Sequence, residues 1–251
     1  KIINKAIKFQ LEGNISEAAK YYQFCLNSGF VDHRVFSNYG LILRSLGKLK
    51  EAEILIKKAI QLKPDFVNNY NNLGIILRDL KKLEEAETIQ RKAIELRPDI
   101  AEIHCNLGNI FADLGNLQDA EISIRTAIEL KPDLVEAHYS LGTILTDLGK
   151  LQDTISLSKS TLDLKSITPG DRLIASLRIT IACLLQEDFS GTLFYLNKTN
   201  KLINQGAVSS IKNEKTKSHT LTFSRFISAL SSQFDKNDSS TKKIPHFGDS
   251  H

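Results

Sequence analysis

Residues 101–134 read AEIHCNLGNIFADLGNLQDAEISIRTAIELKPDL. Leu107, Ile110, Phe111 and Leu114 fall three or four apart, which places them on one stripe of an α-helix. The stripe stops at Gly115-Asn116, where glycine can take the left-handed conformation that closes a helix. Ala120, Ile124, Ala127 and Ile128 form a second stripe. Pro132 then ends it, because proline cannot continue a helix and pushes its predecessor out of the helical region. The stretch therefore encodes one helical hairpin, with Gly108 and Ala120 small where its two helices must approach closely.

The same pattern recurs on both sides at a fixed interval of 34 residues. Gly40, Gly74, Gly108 and Gly142 form one column, and Leu46, Leu80, Leu114 and Leu148 another. Ala52, Ala86 and Ala120 are followed by Thr154, and Leu62, Leu96 and Leu130 by Leu164. Pro64, Pro98 and Pro132 each precede an aspartate. Five columns at one period define an array of stacked hairpins, each covering the apolar face of its neighbour. The copies run 33–66, 67–100, 101–134 and 135–168, with a clipped copy at 1–32 held in register by Ala6, Gly13, Ala18 and Tyr22.

These columns resemble the tetratricopeptide repeat. The resemblance implies an all-α, right-handed solenoid of about five hairpins that binds a polypeptide and performs no chemistry within its repeats. It covers 1–168. Beyond it, Leu173, Leu177, Ile181 and Leu184 form a further helical stripe, Asp188-Phe189-Ser190 reads as a turn, and Phe194, Leu196, Leu202 and Ile203 lie on the next segment. Residues 169–234 are expected to be degenerate capping hairpins, with a third helix from about Val208 to Phe234 and a linker at 235–243.

The composition, 41% hydrophobic and 25% charged, is that of a globular protein. The net charge of +4 is a weak bias, and Lys and Arg alternate with Glu and Asp, which argues against nucleic acid as partner. The longest apolar run, Leu173 to Leu185, is broken by Ser176, Arg178 and Thr180 and is too polar to span a bilayer. Cys25, Cys105 and Cys183 lack disulfide or zinc spacing, which fits a reducing, cytoplasmic setting. The chain has no methionine and begins at Lys1, so it reads as a piece of a longer protein.

In the tetratricopeptide family the first helix of each hairpin lines the concave groove. There positions 2, 6, 9 and 13 share a face. They read Arg34, Asn38, Leu41 and Ser45; then Asn68, Asn72, Ile75 and Asp79; then Glu102, Asn106, Asn109 and Asp113; and finally Glu136, Ser140, Thr143 and Asp147. Asn38, Asn72 and Asn106 resemble the asparagine ladder in the tetratricopeptide superhelix of O-linked N-acetylglucosamine transferase. A carboxamide can donate to and accept from a peptide unit, though asparagine is also common in the repeat consensus and could simply be solvated. Arg34, Arg44 and Arg78 at one end against Glu102, Asp113, Glu136 and Asp147 at the other suggest a ligand whose acidic part faces the N-terminal hairpins. Position 5, with Ser37, Asn71, Cys105 and Tyr139, offers no lysine for gripping a terminal carboxylate, so chaperone-tail binding is not expected.

The expected partner is another protein or peptide segment, and self-association through an exposed end hairpin stays open. No cofactor or metal is expected. His104 and His138, one repeat apart, occupy a packing position. Cys105 is expected to face the groove as a labelling site, and Cys25 to lie in the core. The charge runs Lys48–Glu53 and Lys81–Glu87 read as solvated helix starts. Finally, Ile244 to His251 ends in Gly-Asp-Ser-His, which resembles the first block of SGNH (GDSL-type) hydrolases and acyltransferases. By that resemblance Ser250 would be the nucleophile of a truncated domain, and the repeats the recognition arm of a larger enzyme; glycosyltransferase and sulfotransferase domains are alternatives.

Overall fold

The computed structural model describes residues 2–165 and 167–211, which form twelve α-helices and no strand. Ser166, the linker at 235–243, Ser250 and nearly all of the third helix expected at 208–234 lie outside the described residues. The chain divides into two compact units, Lys1–Ser140 and Leu141–His251.

Unit 1 holds hairpins α1–α2 (Ile2–Leu11, Ile15–Asn27), α3–α4 (His33–Ser45, Leu49–Leu62), α5–α6 (Val67–Asp79, Leu83–Leu96) and α7–α8 (Ala101–Asp113, Leu117–Leu130). The division falls within α9, Val135–Asp147. Each second helix packs on the next first helix: α2 on α3, α4 on α5, α6 on α7. Within a hairpin the glycine column permits the approach. A methyl group on Gly108 would lie 2.6 Å from the Ile124 side chain and 3.0 Å from the Ala120 carbonyl oxygen. Gly13, Gly47 and Gly115 close their helices at φ 76°, 76° and 82°, and Lys81 takes the same left-handed place at φ 63°.

Helical spacing buries Ile56, Leu73, Ile76, Leu77 and Ile110 together. Cys25 is in the core, as its column predicts. Two polar residues interrupt the apolar columns: Asn69 stands between Val35 and Ile103, and Gln90 between Ile56 and Ile124, both fully buried. The connections between hairpins are tied back through position 4. The Tyr70 hydroxyl donates to the Pro64 carbonyl (2.9 Å), and Nε2 of His104 and His138 donate to the carbonyls of Pro98 and Pro132, both at 2.8 Å. The histidines therefore replace a tyrosine in holding a loop. One charge run departs from expectation: Glu53 is only 8% exposed, because Lys57 and Lys82 enclose it at 2.6 and 2.9 Å.

Unit 2 continues with α10 (Leu151–Leu162), α11 (Pro169–Leu185), α12 (Phe189–Asn204) and a short 3-10 helix, Ala207–Ser210. Helix α11 starts with a capping box between Thr168 and Asp171 and proline in its first turn. It buries two faces rather than the single expected stripe. Leu173 and Leu177 meet Leu196 and Ala207, whereas Ala175, Ile179 and Ala182 pack with Ile155 and Leu162. Leu184 is left 38% exposed. The turn before α12 uses Glu187 at φ 58°, and Asp188 caps the helix by accepting from the Gly191 N–H at 2.9 Å. Among the described residues no helix is long and apolar enough to cross a membrane.

Candidate functional site: the first-helix face

In unit 1 the first helices touch one another directly, α5 lying against both α3 and α7. The second helices reach the next hairpin through its first helix. The first helices therefore converge, and their free face is the inner one. It carries the residues that spacing put on one side, and the contacts assign them unequal roles.

The asparagine column is three different situations. Asn38 donates to the Tyr22 hydroxyl at 3.0 Å, and Tyr22 donates to Gln10 Oε1 at 2.8 Å. Asn106 donates to Asn71 Oδ1 at 2.8 Å, and the buried Gln90 Nε2 donates to that same oxygen at 3.1 Å. Both asparagines thus stitch one hairpin to another. Asn72, half-buried between them, makes no side-chain hydrogen bond to another described residue. The column also starts one copy earlier than the sequence reading placed it: Asn4 is exposed on α1 at the same repeat position. The 34-residue offset from Asn38 is the signal that finds it.

The charges are largely satisfied within the protein. Arg34 forms a two-pronged pair with Asp32, the residue that caps its own helix, at 2.7 and 3.1 Å. Arg44 Nε meets Asp79 at 2.6 Å, and Arg78 Nε meets Asp113 at 2.8 Å. Lys131 pairs with Glu102 at 2.8 Å. The hydrogen bond from Lys131 holds the Glu102 carboxyl below its ordinary range, and that from Arg34 does the same for Asp32. Glu136 is exposed and has no ion pair among the described residues, and Asn68 is likewise exposed on α5.

Leu41 and Ile75 are half-buried on the same face, as is Ile7 of α1, while Leu11 is 84% exposed. Asn109 Nδ2 lies 3.9 Å from Cys105 Sγ. Cys105 does not offer the expected labelling site. It is 2% exposed, and burial, with the charge of Glu136, pushes its thiol up to about 12. In unit 2, Thr143 accepts a hydrogen bond from Arg178 Nη2 at 3.0 Å, and Asp147 is exposed.

Tetratricopeptide-repeat family models match residues 65–133 and 33–66. Solved structures similar to this chain include tetratricopeptide-repeat proteins. PilW, a type IV pilus biogenesis factor, superposes with a TM-score of 0.72 at 18% identity, covering 80% of this chain and 91% of its own. PilF of Pseudomonas aeruginosa gives 0.67 at 15% identity, with 80% and 90% covered. YrrB, described as a TPR protein with an unusual peptide-binding site, gives 0.57 at 19% identity, with 81% and 99% covered.

The chain carries tetratricopeptide repeats over residues 33–133. No curated protein matches its sequence. As a tetratricopeptide-repeat array it is a protein-interaction scaffold, and the described residues hold no cluster of three metal-binding side chains.

Proposed function

We propose that the inner face of unit 1 is a receptor for an extended segment of another protein. The observation that carries this reading is Asn72. It sits half-buried on the converging face, beside exposed Asn68 on the same helix, with its carboxamide uncommitted. A carboxamide in that state can exchange two hydrogen bonds with one peptide unit of a bound strand, whatever its side chains. Similarity to YrrB, which has a peptide-binding site, supports the kind of ligand and not the residues that hold it.

The test is selection of random displayed peptides on the purified protein, followed by affinity measurement with Asn72→Ala. Loss of up to two hydrogen bonds should weaken selected peptides about tenfold. Circular dichroism and melting temperature should stay unchanged, since Asn72 bonds to no other described residue. Asn38→Ala and Asn106→Ala are poorer controls, because each also removes a bond between hairpins. Failure to select any peptide, or full affinity in Asn72→Ala, would show that this face is not the receptor.

A further inference from the structure

The sequence suggests a basic N-terminal end to the groove, and the contacts remove it. Arg34, Arg44 and Arg78 are each engaged by an aspartate of the protein itself. What the first three hairpins present instead is aliphatic: Ile7 and Leu11 on α1, Leu41 on α3 and Ile75 on α5. Repeat position 9 then turns polar, at Asn109. Toward the fifth copy the face turns acidic. Glu102 is offset by Lys131, but Glu136 is exposed without an ion pair among the described residues. Glu136 lies near α7: its charge reaches the Cys105 thiol there, and Ser140 of the same helix hydrogen-bonds that thiol.

Resting on the receptor reading above, we infer that unit 1 selects an extended protein segment that places aliphatic side chains on the first three hairpins and a lysine or arginine on Glu136. Charge complementarity decides the basic end, because a carboxylate with no internal partner attracts a cation and repels an anion. Desolvation decides the other end, because partly exposed Leu41, Ile75 and Leu11 gain from covering by apolar groups and lose from covering by charges. The spacing sets a length. Packed helices lie about 9 Å apart and extended chain spans about 3.3 Å per residue, so each hairpin takes about three residues. The aliphatic and basic positions are then separated by roughly six to nine residues.

The probes are two fluorescent serine-rich peptides, each with two leucines near one end. One carries two lysines about seven residues further on and the other two glutamates there, both made in either chain order. In the better order the lysine peptide should bind about five- to tenfold more tightly than its glutamate counterpart at low salt. Glu136→Gln should reduce that ratio to near one without changing the melting temperature. Replacing the leucines by serine should weaken both peptides.

Equal affinity for the two peptides, a preference for glutamate, or a ratio that survives Glu136→Gln would each overturn the inference. If those outcomes come with binding that Asn72→Ala abolishes, the receptor reading stands and only the selectivity falls. Absence of binding by every peptide, including those from the random selection, would remove both.

Discussion

Arg78 on α5 and Asp113 on α7, 35 residues apart in sequence, are joined at 2.8 and 3.3 Å, and one repeat earlier Arg44 is joined to Asp79 by a single bond at 2.6 Å. The two pairs run along the inner face and link consecutive first helices.

Arg78→Ala should cost about 0.5 kcal/mol, the worth of a half-exposed pair, and the loss should shrink in high salt. It also frees Asp113, so binding of the lysine peptide should strengthen rather than weaken. Urea melts with and without salt, together with peptide titration, check both signs.

Glu53 is nearly buried and held by two lysines. Burial raises its pKa, but hydrogen bonds from Lys57 and Lys82 and their charges outweigh this, leaving it below the ordinary 4.5. With the folded pKa lower than the unfolded one, its contribution to stability is present above about pH 4.5 and is lost as the pH falls through the folded value. Glu53→Gln should therefore destabilise by about 1–2 kcal/mol at pH 7 and flatten the acid limb of stability against pH. Denaturant midpoints measured between pH 3 and 7 test this.

Lys81 occupies a left-handed backbone position where the other copies in unit 1 have glycine. A side chain there costs about 1–2 kcal/mol, of which glycine's greater unfolded-state freedom takes back part. Lys81→Gly should stabilise the protein by about 0.5–1 kcal/mol, read as a higher melting temperature.

Gly108→Ala should act in the opposite direction. Its new methyl group meets Ile124, which can turn away, and the Ala120 carbonyl, which cannot. The hairpin must open, at a cost of about 1–3 kcal/mol by chemical denaturation.

Asn69 is fully buried, and neither polar atom of its side chain has a partner among the described residues. Valine fills the same column in another copy, at Val35. Asn69→Val should raise stability by about 1–2 kcal/mol, and an unchanged or lower denaturation midpoint would show that this amide is satisfied.

The sequence alone determined the hairpins, their register and which residues share one face of each first helix. Helical spacing and a 34-residue period are local facts, and they fix which residues share a stripe whatever the neighbours do. The same register was enough to extend the asparagine column to Asn4. What the tertiary structure decided is which polar groups on that face are already spent. Asn106 finds Asn71, Arg44 finds Asp79, and Lys82 finds Glu53 because stacking brings residues about one repeat apart within hydrogen-bonding distance. Periodicity places such residues on neighbouring helices but does not say that they touch. Small changes in hairpin spacing separate a bond from a solvated side chain, since a hydrogen bond needs donor and acceptor within about 3.2 Å and well aligned. For this reason the first-helix face reads as an arginine-to-carboxylate gradient in one dimension, whereas in three Arg34, Arg44 and Arg78 are each paired with an aspartate and Glu136 is left exposed.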